Sequence, residues 1–512
     1  MWNRLPTTAI RELAEANGVC IRPVVHEVTD TDTGHVRVVA TPCGATLASK
    51  CPPCAQKRRV LRMQQCREGW HLEEEPPGPE PKDPEEKPDR KPTRRVRSTR
   101  RRQDAPDLPH LPIEKRTVGS TFISRTGKTY RPSMFVTFTL PSYGAVREDG
   151  TPRNPKTYNY RRAALDAMHF PKLIDRVWQN LRRSTGYQVQ YFATVEAQRR
   201  GAPHLHAAIR GAIPRELLRA VSRATYHQVW WPDHSTPRYL DDELPVWTDE
   251  HGYVDPATGV PLPTWDEAMD ELDADPEARP AHTLRLGSQV DMQGIIASEG
   301  DADRRVAYLT KYLAKSFTDS LNAAPELTRR QRAHVRRLHE EIRHLPCSPR
   351  CSNWLRFGIQ PSEAAEGMAP GACGSKAHAE HTLGCGGRRV LVSRKWTGKT
   401  LKIHQADRAE VVRQTLLAAG VEVPELERID ASVVREDGQQ RFQWRVWDPL
   451  EARAPVYRQV MTRAIAQRIQ WRTDYEAAKA RAGPTNAPPR PPDNQRPLLG
   501  VASVKGERSE LT

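Results

Sequence analysis

Two apolar segments joined by a tight turn constrain this chain more than any other feature. YQVQYFATVE (187–196) and HLHAAIR (204–210) flank a turn at Arg199-Arg200-Gly201. β-Branched and aromatic residues flanking a Gly-bearing turn predict an antiparallel hairpin. A further strand is expected over MFVTFTL (134–140), where Met134, Val136, Phe138 and Leu140 alternate with Phe135, Thr137 and Thr139. Pro171 can open a helix with Leu173, Ile174, Val177 and Leu181 on one face, and Pro214 another with Leu217, Leu218 and Val221 inward. TLRLGSQVDM (283–292) reads as a last strand. The order strand, helix, strand, strand, helix, strand predicts an α+β fold. Its sheet would be antiparallel, of the split βαβ or ferredoxin-like kind, with helices on one face.

Around this core the sequence changes character. Residues 1–72 form a small Cys-bearing region. Residues 73–116 are charged and Pro-rich, acidic first (EEEPPGPEPKDPEEKPD) and then basic (RKPTRRVRSTRRR). So little there is apolar that a disordered linker is expected, its basic half free to act as a backbone-binding arm. The hairpin region, 117–320, is interrupted at 232–282 by an acidic stretch rich in Trp and Pro, read as an insertion outside the core. Residues 321–400 begin helical and continue into a second Cys/His-rich region. Amphipathic helices are expected within 401–485 (408–419 and 457–481), and a disordered tail over 486–512.

Charge narrows the partner. The 512 residues carry 79 Lys+Arg against 63 Asp+Glu, a net +16. Such an excess suits a polyanion, because each cation near a phosphate releases condensed counterions. No run of ~18 apolar residues exists to span a membrane. MWNRLPTTAIRELAEANG has no continuous apolar core of a secretory signal, so a soluble, intracellular protein without a membrane partner is expected.

His204-Leu205-His206 carries the first chemical signal. On a strand, residues i and i+2 share a face. A hairpin symmetric about residue 200 sets Glu196 opposite His204, with Cβ atoms ~5 Å apart. Two imidazoles and a carboxylate would then leave coordination positions open for substrate, as catalytic metal sites do. The plainer reading is a half-buried His pair hydrogen-bonded across the sheet.

VAYLTKYLAKS (306–316) reads as a helix. Tyr308 and Tyr312 are spaced i, i+4, as are Lys311 and Lys315, so each pair lies along one face. The tyrosines are either packing residues at the rim or phenolic nucleophiles for a phosphodiester, with lysine stabilising charge on phosphate. A free Tyr, with pKa ~10, needs a cation to attack at neutral pH. The His/His/Glu set lacks thiolates and phosphate oxygens are hard, so a hard or borderline divalent ion is expected. Arg199, Arg200 and Arg210 flank the hairpin as solvated charges or DNA-backbone contacts.

Nine cysteines without an export signal argue for metal binding over a disulfide framework. Cys43, Cys51 and Cys54 offer three thiolates, with Cys66 or His71 to complete a tetrahedron. Cys347, Cys351 and Cys373 with His378 or His381 make a second candidate, and a site shared between the groups also fits. The expected ion is structural Zn2+. Cys20 reads as a bystander.

In order, FVTFTLPS (135–142), GAPHLHAAIR (201–210) with Glu196 upstream, and YLTKYLAK (308–315) resemble the three motifs of the HUH endonucleases. The chain more specifically resembles the actinobacterial plasmid replication initiators of the RepSA type. That likeness extends to CPPCAQKRRVLRMQQCREGWHL (51–72), CSPRCSNWLRFGIQP (347–361) and LGCGGRRVLVSRKWTGKTL (383–401), and covers roughly 40–72 and 130–480.

The resemblance implies a rolling-circle initiator in the bacterial cytoplasm, nicking plasmid origin DNA that is double-stranded where bound and single-stranded at the nick. His204, His206 and Glu196 would hold the metal, Mg2+ or Mn2+, on the scissile phosphate. A tyrosine would form a 5′-phosphotyrosyl link and free a 3′-OH primer for host helicase and polymerase. Tyr312 with Lys315 is the first choice of nucleophile and Tyr308 the second. The pair resembles the gene A-type phage initiators, whose two tyrosines alternate; some plasmid initiators carry a glutamate at the position of Tyr308. The alternatives are a conjugative relaxase and a non-catalytic, zinc-containing DNA-binding regulator.

Overall fold

In the computed structural model the chain divides into two units, the second interrupting the first. Unit 1 comprises Met1–Gln65, Leu313–Lys315 and Lys399–Thr512, and unit 2 comprises Cys66–Tyr312 and Ser316–Gly398. The structure describes residues 5–70, 72, 74–76, 108–117, 122–123, 127, 129–130, 132–240, 243–295, 299–311, 313–321, 326–418, 434–435, 437–446 and 454–486. Most of the expected linker, its basic run, His71, Tyr312 and the tail from 487 lie outside the described residues.

Unit 1 opens with α1 (Thr7–Ala16), whose Ile10 and Ala14, four residues apart, share a buried face. The antiparallel hairpin of β1 (Val24–Asp30) and β2 (Val36–Thr41) follows, then α2 (Pro52–Trp70), within which the division between units falls.

Unit 2 begins with a two-stranded ladder of β3 (Phe122–Ile123) and β4 (Thr129–Tyr130). Next comes β5 (Ser133–Phe138), buried at all positions but one because it runs through the middle of a five-stranded sheet. Helix α3 (Tyr160–Thr185) spans 26 residues. It starts eleven residues earlier than Pro171 suggested, because Asn159 caps it by accepting from the Arg162 N–H. Gly186 ends it in the left-handed conformation (φ 70°). Leu173, Ile174, Val177, Trp178 and Leu181 are the buried stripe the sequence pattern required.

The expected hairpin is β6 (Tyr191–Ala197) and β7 (Pro203–Arg210), followed by α4 (Arg215–Ala224) and β8 (Tyr226–Val229). Residues 232–282 are not a bare insertion. They hold the hairpin of β9 (Val246–Thr248) and β10 (Gly252–Val254) and helix α5 (Trp265–Ala274), which a Thr264–Glu267 capping box starts. Their aromatic side chains supply the burial that the acidic composition concealed. Trp265, Ala268 and Met269 pack with Cys351, Trp354 and Ile359, and Tyr253 and Leu262 with Leu355.

The single strand expected over 283–292 is two. β11 (His282–Arg285) pairs with β8, and β12 (Val290–Ile295) pairs with β5. Gly287 lies at the break, where an added Cβ would stand 3.0 Å from Leu140 O, tighter than nearly all Cβ contacts, so glycine suits the crossing. Helices α6 (Glu299–Thr310), α7 (Phe317–Ser320) and α8 (Arg329–His344) precede β13 (Val390–Val392), which completes the main sheet. Its order is β12-β5-β7-β6-β13, antiparallel throughout.

The chain then returns to unit 1 with α9 (Leu401–Ala418), β14 (Phe442–Val446) and α10 (Ala454–Asn486). β14 pairs with β1, Phe442 packs with Val28 and Val39, and Met461 and Ile465 of α10 pack with Ile10 and Ala14. The protein is therefore mixed α+β with antiparallel sheets. Among the described residues no helix is long and apolar enough to cross a membrane.

Candidate metal centres and nuclease site

The β6–β7 register sets Glu196 opposite His204 and Thr194 opposite His206. Gly201, with φ +80°, makes the turn that permits it. His204 Nε2 and His206 Nε2 stand 2.7 Å apart, and His206 Nε2 is 3.9 Å from Glu196 Oε2. All three donor atoms lie within 4.8 Å of one another. From β5, the Thr137 hydroxyl pairs with His206 Nδ1 at 2.9 Å, and the Phe135 ring stacks on the imidazole with centroids 5.7 Å apart. That contact to Nδ1 turns Nε2 toward the other donors, an orienting role that neighbours of metal ligands commonly play.

Burial raises the Glu196 carboxyl to about 7, against the countering charges of Arg389 and Lys311. Burial likewise lowers His204 to about 4 and His206, helped by its neighbour His204, to about 3. Two neutral imidazoles therefore face a buried carboxyl whose Oε1 has no hydrogen-bond partner. Such an arrangement is costly without a cation and suits one well. Two nitrogens and a carboxylate on one face fit a divalent ion with open positions.

Tyr308, on α6, brings its hydroxyl to 3.4 Å from His206 Nε2. Its ring stands edge-on to His206 and Phe135, at 5.1 and 5.8 Å, and the residue is 40% exposed. The helix expected through 316 ends at Thr310, where the Thr310 hydroxyl donates back to Val306 O and Lys311 N–H to Tyr308 O. Lys311 and Lys315 therefore do not share a helix face. Lys311 acts electrostatically on Glu196, whereas Lys315 is exposed and belongs to unit 1.

The hairpin arginines need correcting as DNA contacts. Arg210 is buried, donates to the carbonyls of Gly69, Lys395 and Trp396, and stacks on the Trp396 ring at 5.1 Å. Arg200 is spent on the backbone, giving Nη1 to Pro141 O at 2.6 Å and Nη2 to Leu140 O at 2.7 Å. Only Arg199 of the three is exposed, with one bond to Glu148 O at 3.1 Å.

In unit 1 the four thiols Cys20, Cys43, Cys51 and Cys54 converge. Cys20 precedes β1 and Cys43 follows β2, so hairpin pairing brings them together, and Cys51 and Cys54 lie at the start of α2. Cys20 Sγ is 3.8 Å from Cys51 Sγ and accepts the Cys43 N–H at 3.3 Å. Cys20 is thus no bystander. Cys66 is corrected in the opposite sense: it is not among the four thiols that converge, and it belongs to unit 2. Burial pushes its thiol well above the ordinary value. Cys20, chiefly through its contact with Cys54, is lowered to about 5, while Cys43 and Cys54 are raised.

In unit 2, Cys347, Cys351, Cys373 and His378 form a second group. Cys347 Sγ is 3.9 Å from Cys373 Sγ, and Cys351 Sγ is 3.5 Å from His378 Nε2. His378 Nδ1 bonds Ile342 O at 2.8 Å, which aims Nε2 at the sulfurs. Contact with Cys351 lowers Cys347 to about 3 and raises Cys351 in turn. Burial opposes charge on His378, but Cys347 outweighs it and the ring's pKa is raised. Cys385 is buried in the main core instead. Both groups are sulfur-rich and could hold a metal such as zinc.

An antiparallel α+β chain with one nitrogen–oxygen and two sulfur-rich donor groups is matched by the family model for replication initiators, described as RepSA, replication initiator protein, pSAM2, over residues 7–469. The chain belongs to this RepSA replication-initiator family. It is similar to a replication initiator protein of Streptomyces ambofaciens, 27% identical over an alignment of 231 positions that covers 39% of this chain and 45% of that protein. The match thus spans less than half of that relative's length. No solved structure matches the chain.

Proposed function

We propose that the protein starts plasmid rolling-circle replication by nicking one strand of origin DNA. The observation that carries this reading is the convergence of Glu196, His204 and His206 beside the Tyr308 hydroxyl. The order β12-β5-β7-β6 with α3 and α4 supports a split βαβ sheet of the HUH nuclease kind. A divalent ion, Mg2+ or Mn2+, held by the three donors would polarise the scissile phosphate and favour loss of the tyrosine proton.

This chain's residues do the rest. Thr137 holds the His206 ring, and Lys311 adds positive charge where negative charge grows on phosphate. The Tyr308 oxygen attacks phosphorus and its proton passes to solvent. The bond from phosphorus to the 3′ oxygen breaks, and that oxygen takes up a proton and leaves as the 3′-OH. A 5′-phosphotyrosyl link remains, preserving the bond energy for later rejoining. Tyr312, four residues on, would serve the closing transfer. Zn2+ in the two sulfur-rich groups would be structural, and host helicase and polymerase would extend the primer.

Supercoiled plasmid carrying the replicon, incubated with the protein and Mn2+ or Mg2+, tests the reading. Nicked circles bearing protein on the 5′ end are expected. Binding without nicking under any divalent ion would sink it in favour of a non-catalytic DNA-binding regulator.

A further inference from the structure

Helix α8 has two unlike faces. Gln331, His334, Val335, Leu338 and Ile342 are buried. His334 Nε2 meets Arg200 O at 3.1 Å, so this inner face grips the turn of the hairpin that carries Glu196, His204 and His206. On the other side Arg329, Arg330, Arg332, Arg336, Arg337 and Arg343 are all exposed. Glu340 and Glu341 stand four residues after Arg336 and Arg337, the spacing at which helical ion pairs form. Yet among the described residues none of the six arginines has a carboxylate within ion-pair distance. Arg332 instead bonds Leu327 O at 2.6 Å, and Arg337 lies over the Tyr160 ring at 4.9 Å.

Like charges crowded on one helix repel, and a polyanion relieves that repulsion. Arg329, Arg336 and Arg343 recur every seven residues, ~10.5 Å apart, and form a ridge ~21 Å long. Duplex DNA carries a charge every ~1.7 Å of axis, so a ridge of that length faces several phosphates. The helix sequence RRQRAHVRRLHEEIRH holds no Phe, Tyr or Trp. Single-strand grooves depend on such rings for base stacking, which favours duplex as the ligand.

We propose that the outer face of α8 binds the phosphate backbone of duplex DNA and holds the origin against the catalytic hairpin. The hairpin's part in this rests on the nicking reading above; the ridge itself does not.

The full-length protein with Arg329→Gln, Arg332→Gln, Arg336→Gln and Arg343→Gln is compared with wild type for binding a short mixed-sequence duplex over a salt series. The slope of log affinity against log salt should fall by about 0.9 for each lost contact, with several-fold weaker binding per contact at moderate salt. The same four positions changed to Lys should keep most of the slope. An unchanged slope in the Gln variant overturns the proposal. So does equal loss in the Lys variant, since charge would then not be the cause. A matching loss on the single strand of the same sequence overturns the choice of duplex. Supercoiled plasmid separates the two readings. Steep wild-type binding without nicking sinks the nuclease and leaves the ridge, while an unchanged slope with intact nicking sinks the ridge alone.

Discussion

His204 and His206 present their Nε2 atoms to each other at 2.7 Å on one face of β7, with the Glu196 carboxylate 3.9 Å from the second ring. Three donors, two of them buried, that no protein hydrogen bond fully satisfies gain most from a shared cation. His206→Ala, which removes the donor nearest both partners and Tyr308, should reduce nicking by about 100-fold or more and abolish stoichiometric Mn2+ binding. Electron paramagnetic resonance of Mn2+ checks the binding. Full Mn2+ occupancy in the variant would contradict the assignment.

Tyr308 is the described tyrosine at this site, although the family resemblance, with Lys315 as phosphate partner, ranked Tyr312 ahead of it. The covalent adduct trapped on a cleaved oligonucleotide is therefore expected on Tyr308. Tyr308→Phe should lower first-strand nicking by at least about 100-fold while leaving duplex binding within two-fold or so. Peptide mapping by mass spectrometry decides; an adduct outside 306–316 would remove α6 from the mechanism.

The sulfur-rich groups predict about two equivalents of zinc in the purified protein. Cys20→Ser should lose one equivalent and Cys66→Ser none, because only Cys20 shares a cluster with Cys43, Cys51 and Cys54. Plasma emission analysis of each variant gives the count. Zinc lost from Cys66→Ser and kept by Cys20→Ser would reverse the correction made above.

Acid stability has a defined contributor. Arg441 bonds the buried Asp30 at 3.0 Å and holds its carboxyl down to about 2. A carboxylate depressed in the folded state adds stability above its unfolded pKa of ~3.9 and loses it as pH falls toward the folded value. Asp30→Asn should cost about 1.5–3 kcal/mol near neutrality and flatten the decline between about pH 4 and 2. Urea unfolding at several pH values measures both; an equally steep decline in the variant would acquit this pair.

Arg210 supplies a contrasting test. Its guanidinium is buried among three carbonyl acceptors, so Arg210→Met should destabilise by about 2–4 kcal/mol yet leave the salt slope of DNA binding unchanged. A reduced slope in the folded variant would restore it as a phosphate contact.

Where side chains alternate locally, the sequence was a sound guide. The β6–β7 pairing and the Glu196–His204 register followed from a turn and a period of two. Features that depend on distant partners were not visible. Nothing near Cys20 announces that a hairpin will deliver it to Cys43. Likewise β14, in a stretch read as helical, becomes a strand by pairing with β1, far away along the chain. Arg200 and Arg210 misled because basic residues beside a turn look solvated, and only the fold shows which carbonyls claim them. Residues 232–282 misled through their average acidity, which hid the few aromatics that decide packing.

That long-range pairing also orders events at the ribosome. Arg441, the partner of Asp30, is synthesised 411 positions later. At roughly 5–20 residues per second, β1 and β2 wait on the order of tens of seconds for their third strand. Every residue of the hairpin site has been made by then. A nascent chain could thus hold the finished Glu196–His204–His206 donor cluster while the first unit still lacks its outer strand, with an open sheet edge exposed to other chains throughout the delay.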